Sequence, residues 1–186
     1  MSAGRTRGFT LTEILAAVAI LAVLAGIAVP VTARVVRAGR ISATKQEMAG
    51  LARALRAYGE DYGHSPERAL WGRFPPECAG AGAYGSVLGR ELEEDVAGAG
   101  WDMAYRKGWN GPYVQGENEA ADASGTGVAA VVRSYQVDAW GRYYLYRNEA
   151  SGLTARTVTL TSGGPDRNLA TAGDNLTVEV YRGPAW

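Results

Sequence analysis

Glu13 is the acidic residue whose placement most demands a partner. It follows Arg5-Thr6-Arg7-Gly8-Phe9-Thr10-Leu11-Thr12 and opens a run, Ile14 to Val31, that carries no charged residue. A carboxylate at the edge of an apolar span costs on the order of a few kcal/mol unless something neutralises or hydrogen-bonds it. The other reactive residues are sparse. His64 is the single histidine, so a multi-histidine metal site is excluded and any histidine-based triad would have to use it. It sits in Gly63-His64-Ser65-Pro66, a turn sequence that reads as surface. Cys78 is the single cysteine, so no internal disulfide forms, and it reads as a small buried apolar side chain. Ser86 lacks the glycine spacing of a nucleophile elbow. Gly80-Ala81-Gly82-Ala83-Tyr84-Gly85 has dinucleotide-loop spacing but follows Pro75-Pro76 and not a strand, so it reads as loop. No spacing singles out a carboxylate pair for glycoside chemistry.

The elements that must position Glu13 are legible. The apolar run, counted with Phe9 and Leu11, reaches the ~20 residues that a bilayer-crossing helix needs. In lipid its backbone groups must bond within the segment, so it should be helical. Pro30 removes a donor and crowds the carbonyl of Gly26, which predicts a kink or local loosening. Beyond it, Ile41, Thr44, Met48, Leu51, Leu55, Tyr58 and Tyr62 recur at spacings of three and four, an amphipathic stripe that should pack on the protein's own head. Gly59, Gly63 and Ser65-Pro66 end the helix. A helix from Phe9 to Tyr62 would be ~80 Å long at 1.5 Å per residue.

The rest reads as a loop-rich head, consistent with 25 glycines. Residues 64–130 are irregular. Ser86 to Val96 is expected to form a short acidic helix with a solvated face. Trp71, Trp101, Tyr105 and Trp109 are expected in the head core, and Glu117 to Gly127 is expected to be a flexible insertion. Four antiparallel strands follow from β-branched and aromatic runs between turn residues: Val131–Val137, Tyr143–Arg147, Ala155–Thr161 and Leu176–Tyr181. Asp138-Ala139-Trp140-Gly141 reads as a turn in which Asp138 caps, Trp140 buries and Gly141 takes positive φ. The fold class is α+β: one long N-terminal helix packed on a small C-terminal antiparallel sheet.

Basic residues, then Gly8-Phe9-Thr10-Leu11-x-Glu13, then an apolar helix resembles the type IV prepilin and pseudopilin signature. Gly108-Trp109-Asn110-Gly111-Pro112-Tyr113, Asp138-Ala139-Trp140-Gly141-Arg142-Tyr143 and Ser162-Gly163-Gly164-Pro165-Asp166 extend the resemblance to the type II secretion major pseudopilin, the G-type protein. The resemblance implies a leader of residues 1–8, cut by a prepilin peptidase between Gly8 and Phe9, and methylation of the new Phe9 amine. It implies a membrane and filament-core helix over 9–33, its amphipathic second half over 34–63, and a head over 64–186. Glu13 of one subunit would neutralise the Phe9 amine of a neighbour and set axial register. The last loop, Leu160 to Leu176, would bind a structural Ca2+ through Asp166, Asp174 and Asn175, with carbonyls from Leu160 and Ser162. A hard cation takes six to eight oxygens, which a glycine-rich loop can wrap. Two departures stand out: Asp174-Asn175 occupies the place of two adjacent acids, and the loop is about one residue longer than the family's.

The implied protein is a structural subunit and not an enzyme. It would be a single-pass inner-membrane protein with a periplasmic head, polymerising with itself into a periplasmic or surface filament. Its partners would be minor pseudopilins, an inner-membrane assembly platform, the prepilin peptidase and the membrane. Lys plus Arg and Asp plus Glu are equal at 19, so no global charge attracts nucleic acid. Loss of residues 1–8 leaves 17 basic against 19 acidic side chains. Other readings stay open: a type IV pilus or minor pilin, a membrane-tethered calcium-dependent adhesin or binding module, an anchored hydrolase, a secretory signal cut after Val31-Thr32-Ala33, or a plain anchor. N-terminal sequencing separates the last two from processing at Phe9.

Overall fold

The computed structural model describes residues 9–62, 74–75, 77–79, 86–96, 98, 100–104, 107–123, 125–151 and 155–183. His64, Trp71, Tyr105 and the Gly80–Gly85 loop therefore lie outside the described residues. The chain divides into two compact units, 1–39 and 40–186.

In the first unit the backbone is helical from Leu11 onward, part of α1 (Leu11–Tyr62). Its side chains are exposed throughout the apolar run, and its length and composition suffice to cross a membrane. The helix runs unbroken through Pro30. Near it, the Thr32 hydroxyl donates to the Ala28 carbonyl at 2.9 Å.

The second unit is built around the last turns of α1. Thr44, Met48, Leu51, Leu55 and Tyr58 are buried, as the stripe predicts, and Ala52 and Ala54 widen the buried face. Each fully buried large apolar side chain contributes about 1.5–3 kcal/mol. Against this face pack Phe74, Leu88, Leu92, Tyr135, Tyr144, Tyr146, Val158, Leu160 and Val180 in one cluster. The sheet that supplies Tyr146, Val158, Leu160 and Val180 is antiparallel, in the order β1 (Cys78–Ala79), β2 (Ser86–Val87), β7 (Leu145–Ser151), β8 (Ala155–Ser162), β9 (Leu176–Gly183). Val158 and Leu160 point to the core from the same face of β8, the period-2 pattern expected of a half-buried strand. Two separate two-stranded ribbons are also present: β3 (Trp101–Asp102) with β4 (Lys107–Gly108), and β5 (Asn118–Ala121) with β6 (Ala130–Arg133).

A bulge ties helix to sheet. Val158 faces Tyr181 and Thr159 faces Glu179, so Val180 has no residue opposite it in β8. Val180 is buried, and its carbonyl accepts a bond from Arg56 Nε of α1 at 2.9 Å. The helix thus satisfies a carbonyl on the outer strand of the sheet, where an exposed edge would otherwise invite pairing.

Five expectations are corrected. Ser86–Val96 is not a helix: Ser86 and Val87 form β2, and turns follow. Leu92 turns its carbonyl to the amides of Tyr113 and Val114, a use that a helix would forbid, and Glu91 is buried instead of solvated. The segment Glu117–Gly127 is not simply an insertion, because Asn118–Ala121 pairs with β6 in register. The strand expected at Val131–Val137 stops at Arg133 and turns into a 3-10 turn, where the Gln136 side chain accepts from the Arg133 amide at 3.0 Å. The strand expected at Tyr143–Arg147 begins at Leu145 and runs on to Ser151. Cys78 is only half-buried, and its thiol faces Glu91 Oε1 at 3.7 Å. Burial and the Glu91 carboxyl push that thiol up to about 11, so it stays protonated at neutral pH. Of the expected core aromatics, Trp109 packs against the core cluster and Trp101 is half-buried.

Candidate functional sites at the N-terminus and the last loop

Glu13 has a partner within its own chain. Its Oε2 accepts from the Thr10 amide and the Thr10 hydroxyl, both at 2.9 Å. The Glu13 amide in turn donates to Thr10 Oγ1 at 3.3 Å. This reciprocal arrangement is a capping box, which satisfies amides that the first turn of a helix leaves open. The Thr10-x-x-Glu13 spacing is the sequence signal of this cap. The cap needs nothing N-terminal to Thr10, so it survives removal of residues 1–8. It binds the carboxylate without neutralising it, so the negative charge remains for a cation. Phe9 is 84% exposed, and Gly8 lies outside the described residues.

The second site stands on the turn that joins β6 to β7. Asp138 is buried, and its Oδ1 accepts from the amides of Trp140 at 3.0 Å and Arg142 at 3.1 Å. The Gly141 amide donates to the Asp138 carbonyl at 2.8 Å, with Gly141 at φ 74°. Trp140 is buried. All three expectations for this turn hold. The remaining carboxylate oxygen, Oδ2, accepts from the Ser162 hydroxyl at 2.5 Å. Sequence reasoning missed this bond, because nothing in local spacing links residues 24 positions apart.

Ser162 ends β8 and begins the last loop. Its Oγ also accepts from the Gly164 amide at 3.1 Å. Gly164 has φ 65°, and a Cβ there would lie 2.2 Å from the Asp174 carbonyl, so the loop's two limbs meet at a position only glycine fits. Asp166 is exposed; its Oδ1 accepts from the Asn168 amide and its own amide donates to Asp174 Oδ2 at 3.3 Å. Asn175 Nδ2 donates to the Leu169 carbonyl at 3.0 Å. Leu160 is fully buried in β8, between β7 and β9. The fold therefore joins Asp166, Asp174 and Ser162 within one closed loop.

Its donor chemistry bears on a metal. Asp174 Oδ1 and Asn175 Oδ1 are buried, and among the described residues neither accepts a hydrogen bond. Two neighbouring buried oxygens without donors are what a hard cation would satisfy. Among the described residues no three carboxylate, histidine or cysteine side chains gather around one point. Any ion held here would lean on Asp174, Asn175 and backbone carbonyls.

Residues 4–29 match the family model of the prokaryotic N-terminal methylation motif. The N-terminus thus carries a methylation motif. It spans Gly8, Phe9, the Thr10–Glu13 cap and most of the apolar run. With the long apolar helix and the small antiparallel sheets, the motif supports a type IV pilin-like family, whose members are structural subunits. The helix and the motif are compatible with a membrane-anchored pilin. No curated protein and no solved structure matches the chain.

Proposed function

We propose that this chain is a structural subunit of a type II secretion pseudopilus, assembled from an inner-membrane pool after cleavage between Gly8 and Phe9. The observation that carries this reading is the methylation motif placed directly before an uncharged helix, with Glu13 at its first turn. Trimming creates an ammonium group on Phe9. In a filament core, away from water, the charge of Glu13 on a neighbouring subunit pairs with it, and the pair fixes the stagger of one subunit on the next. The apolar side chains of the uncharged run from Ile14 to Val31, all exposed in the isolated chain, find cover first in lipid and then in the other subunits. The partners are copies of this chain, minor pseudopilins, an inner-membrane assembly platform and the prepilin peptidase. The head lies in the periplasm. Under the same reading, Ca2+ sits in the last loop on Asp174 and Asn175, with Asp166 and the carbonyls of Leu160 and Ser162 as further donors. It acts as a structural tie between the loop's limbs.

Co-expression with a prepilin peptidase and electron microscopy test the reading. Mature protein beginning at Phe9, and filaments that Glu13→Ala abolishes or disorders, are expected. A product retaining residues 1–8 under peptidase, or Glu13→Ala subunits that assemble with unchanged rate and stagger, would refute it. Secretion of a reporter substrate separates a pseudopilus from a pilus.

A further inference from the structure

The last loop is clamped at its base to a turn that also touches α1. Ser162 Oγ sits at the crossing: it donates to Asp138 Oδ2 at 2.5 Å and accepts from the Gly164 amide at 3.1 Å. The other oxygen of Asp138 holds the amides of Trp140 and Arg142. The next residue, Ala139, donates its amide to Thr44 Oγ1 of α1 at 3.3 Å, and Thr44 is completely buried. One turn further along the helix, Glu47 Oε2 accepts from the Tyr144 hydroxyl at 2.8 Å. Hydrogen bonds thus lead from Gly164 through Ser162 to Asp138, and across the peptide bond to Ala139 another leads on to Thr44.

The three hydrogen bonds run from 2.5 to 3.3 Å, and each is buried or part-buried. Buried polar links of this kind hold one geometry, because a shifted partner leaves a group unsatisfied. The path starts where Gly164 meets the Asp174 carbonyl, beside the unpartnered Oδ1 atoms of Asp174 and Asn175.

We infer that Ser162 and Asp138 are positioning residues for the cation site of the last loop, and that they couple occupancy of that site to the seating of the Asp138 turn on α1. This rests on the calcium reading given above. The Ser162 hydroxyl contributes no ligand in that reading; only its carbonyl does. Its side chain acts by fixing Gly164, and so the approach of the two limbs. Coupling is reciprocal: a loop ordered by an ion holds Asp138 in place, and a fixed Asp138 pre-forms the loop.

The experiment uses the full mature chain in detergent, titrated with CaCl2, comparing wild type with Ser162→Ala and Asp138→Asn. Ser162→Ala keeps the backbone carbonyl and removes only the clamp. Three readouts are taken: Ca2+ affinity by calorimetry, the rise in melting temperature between chelator and saturating Ca2+, and Trp140 fluorescence with amide exchange at Ala139. Wild type is expected to bind, to gain melting temperature, and to slow exchange at Ala139. Ser162→Ala should bind about tenfold or more weakly, the scale of one charge-assisted hydrogen bond, and should lose the change at Ala139. A purely structural role would lower melting temperature equally with and without the ion, leaving the calcium-induced rise intact. That result overturns the inference. Equal affinity of wild type and both variants overturns it as well while leaving the calcium reading in place. No binding by wild type removes the calcium reading itself, and the inference with it. Should Asp138→Asn fail to fold, Ser162→Ala decides alone.

Discussion

Gly164 and Gly173 lie in the same loop and make opposite predictions for the same substitution. At Gly164 an added methyl group meets the Asp174 carbonyl oxygen at 2.2 Å, and φ is 65°. The left-handed backbone alone costs an alanine about 1–2 kcal/mol. The contact is with backbone, which no rotamer change relieves, so one limb of the loop must move. That displaces the Gly164 amide from Ser162 Oγ, a bond of about 0.5–1.5 kcal/mol. Together the loss comes to about 1.5–3.5 kcal/mol. For a chain of this size that is roughly a 3–14 °C fall in melting temperature. At Gly173 nothing lies within 4 Å of the added methyl and no positive φ is present. Gly173→Ala should therefore stay within about 0.5 kcal/mol of wild type. Thermal melts of the three proteins by circular dichroism, all in chelator, make the comparison. Equal melting temperatures for Gly164→Ala and Gly173→Ala would refute the closed geometry of the loop.

Leu55 is fully buried in the face of α1 that seats the sheet. Leu55→Ala should cost about 2–5 kcal/mol in urea unfolding, with the range set by how far the cavity collapses. Arg56→Met keeps the apolar stem but leaves the Val180 carbonyl of the bulge without its donor. It should cost about 1–2 kcal/mol and raise amide exchange in β9; unchanged exchange there would deny the tie. Burial raises the pKa of both Glu91 and Glu47 above the ordinary carboxylate value. The folded state then holds these protons more tightly than the unfolded chain. Their contribution to stability is full below the ordinary value of about 4.3 and is lost as pH rises through the higher folded value. Glu91→Gln, which cannot ionise, should therefore gain on wild type between pH 4.5 and 7.5 in paired melts. Parallel curves would show that the Glu91 carboxyl is solvated.

The residues 9–62 needed nothing beyond their own order to be read. An uncharged run and a stripe at three-and-four spacing are local signals, and each follows from helix geometry. The methylation motif is local too, as is the Asp138 turn, whose bonds span at most four residues. Strands β8 and β9 were legible because alternation and turn residues bounded them closely.

What the order of residues left open is whatever depends on contacts across long separations. Glu91 carries the marks of a solvated acidic helix, yet Tyr113 and Val114 draw the Leu92 carbonyl into a turn and the fold buries the carboxyl. Asn118–Ala121 looks like linker and becomes strand because Ala130–Arg133 lies beside it. The clamp from Ser162 to Asp138, and its reach to Thr44, joins three parts of the chain that no periodicity relates. Local chemistry chose the helix, its cap and its turns. Only packing, which closes polar groups off from water and forces each to find a partner, decided which of them meet.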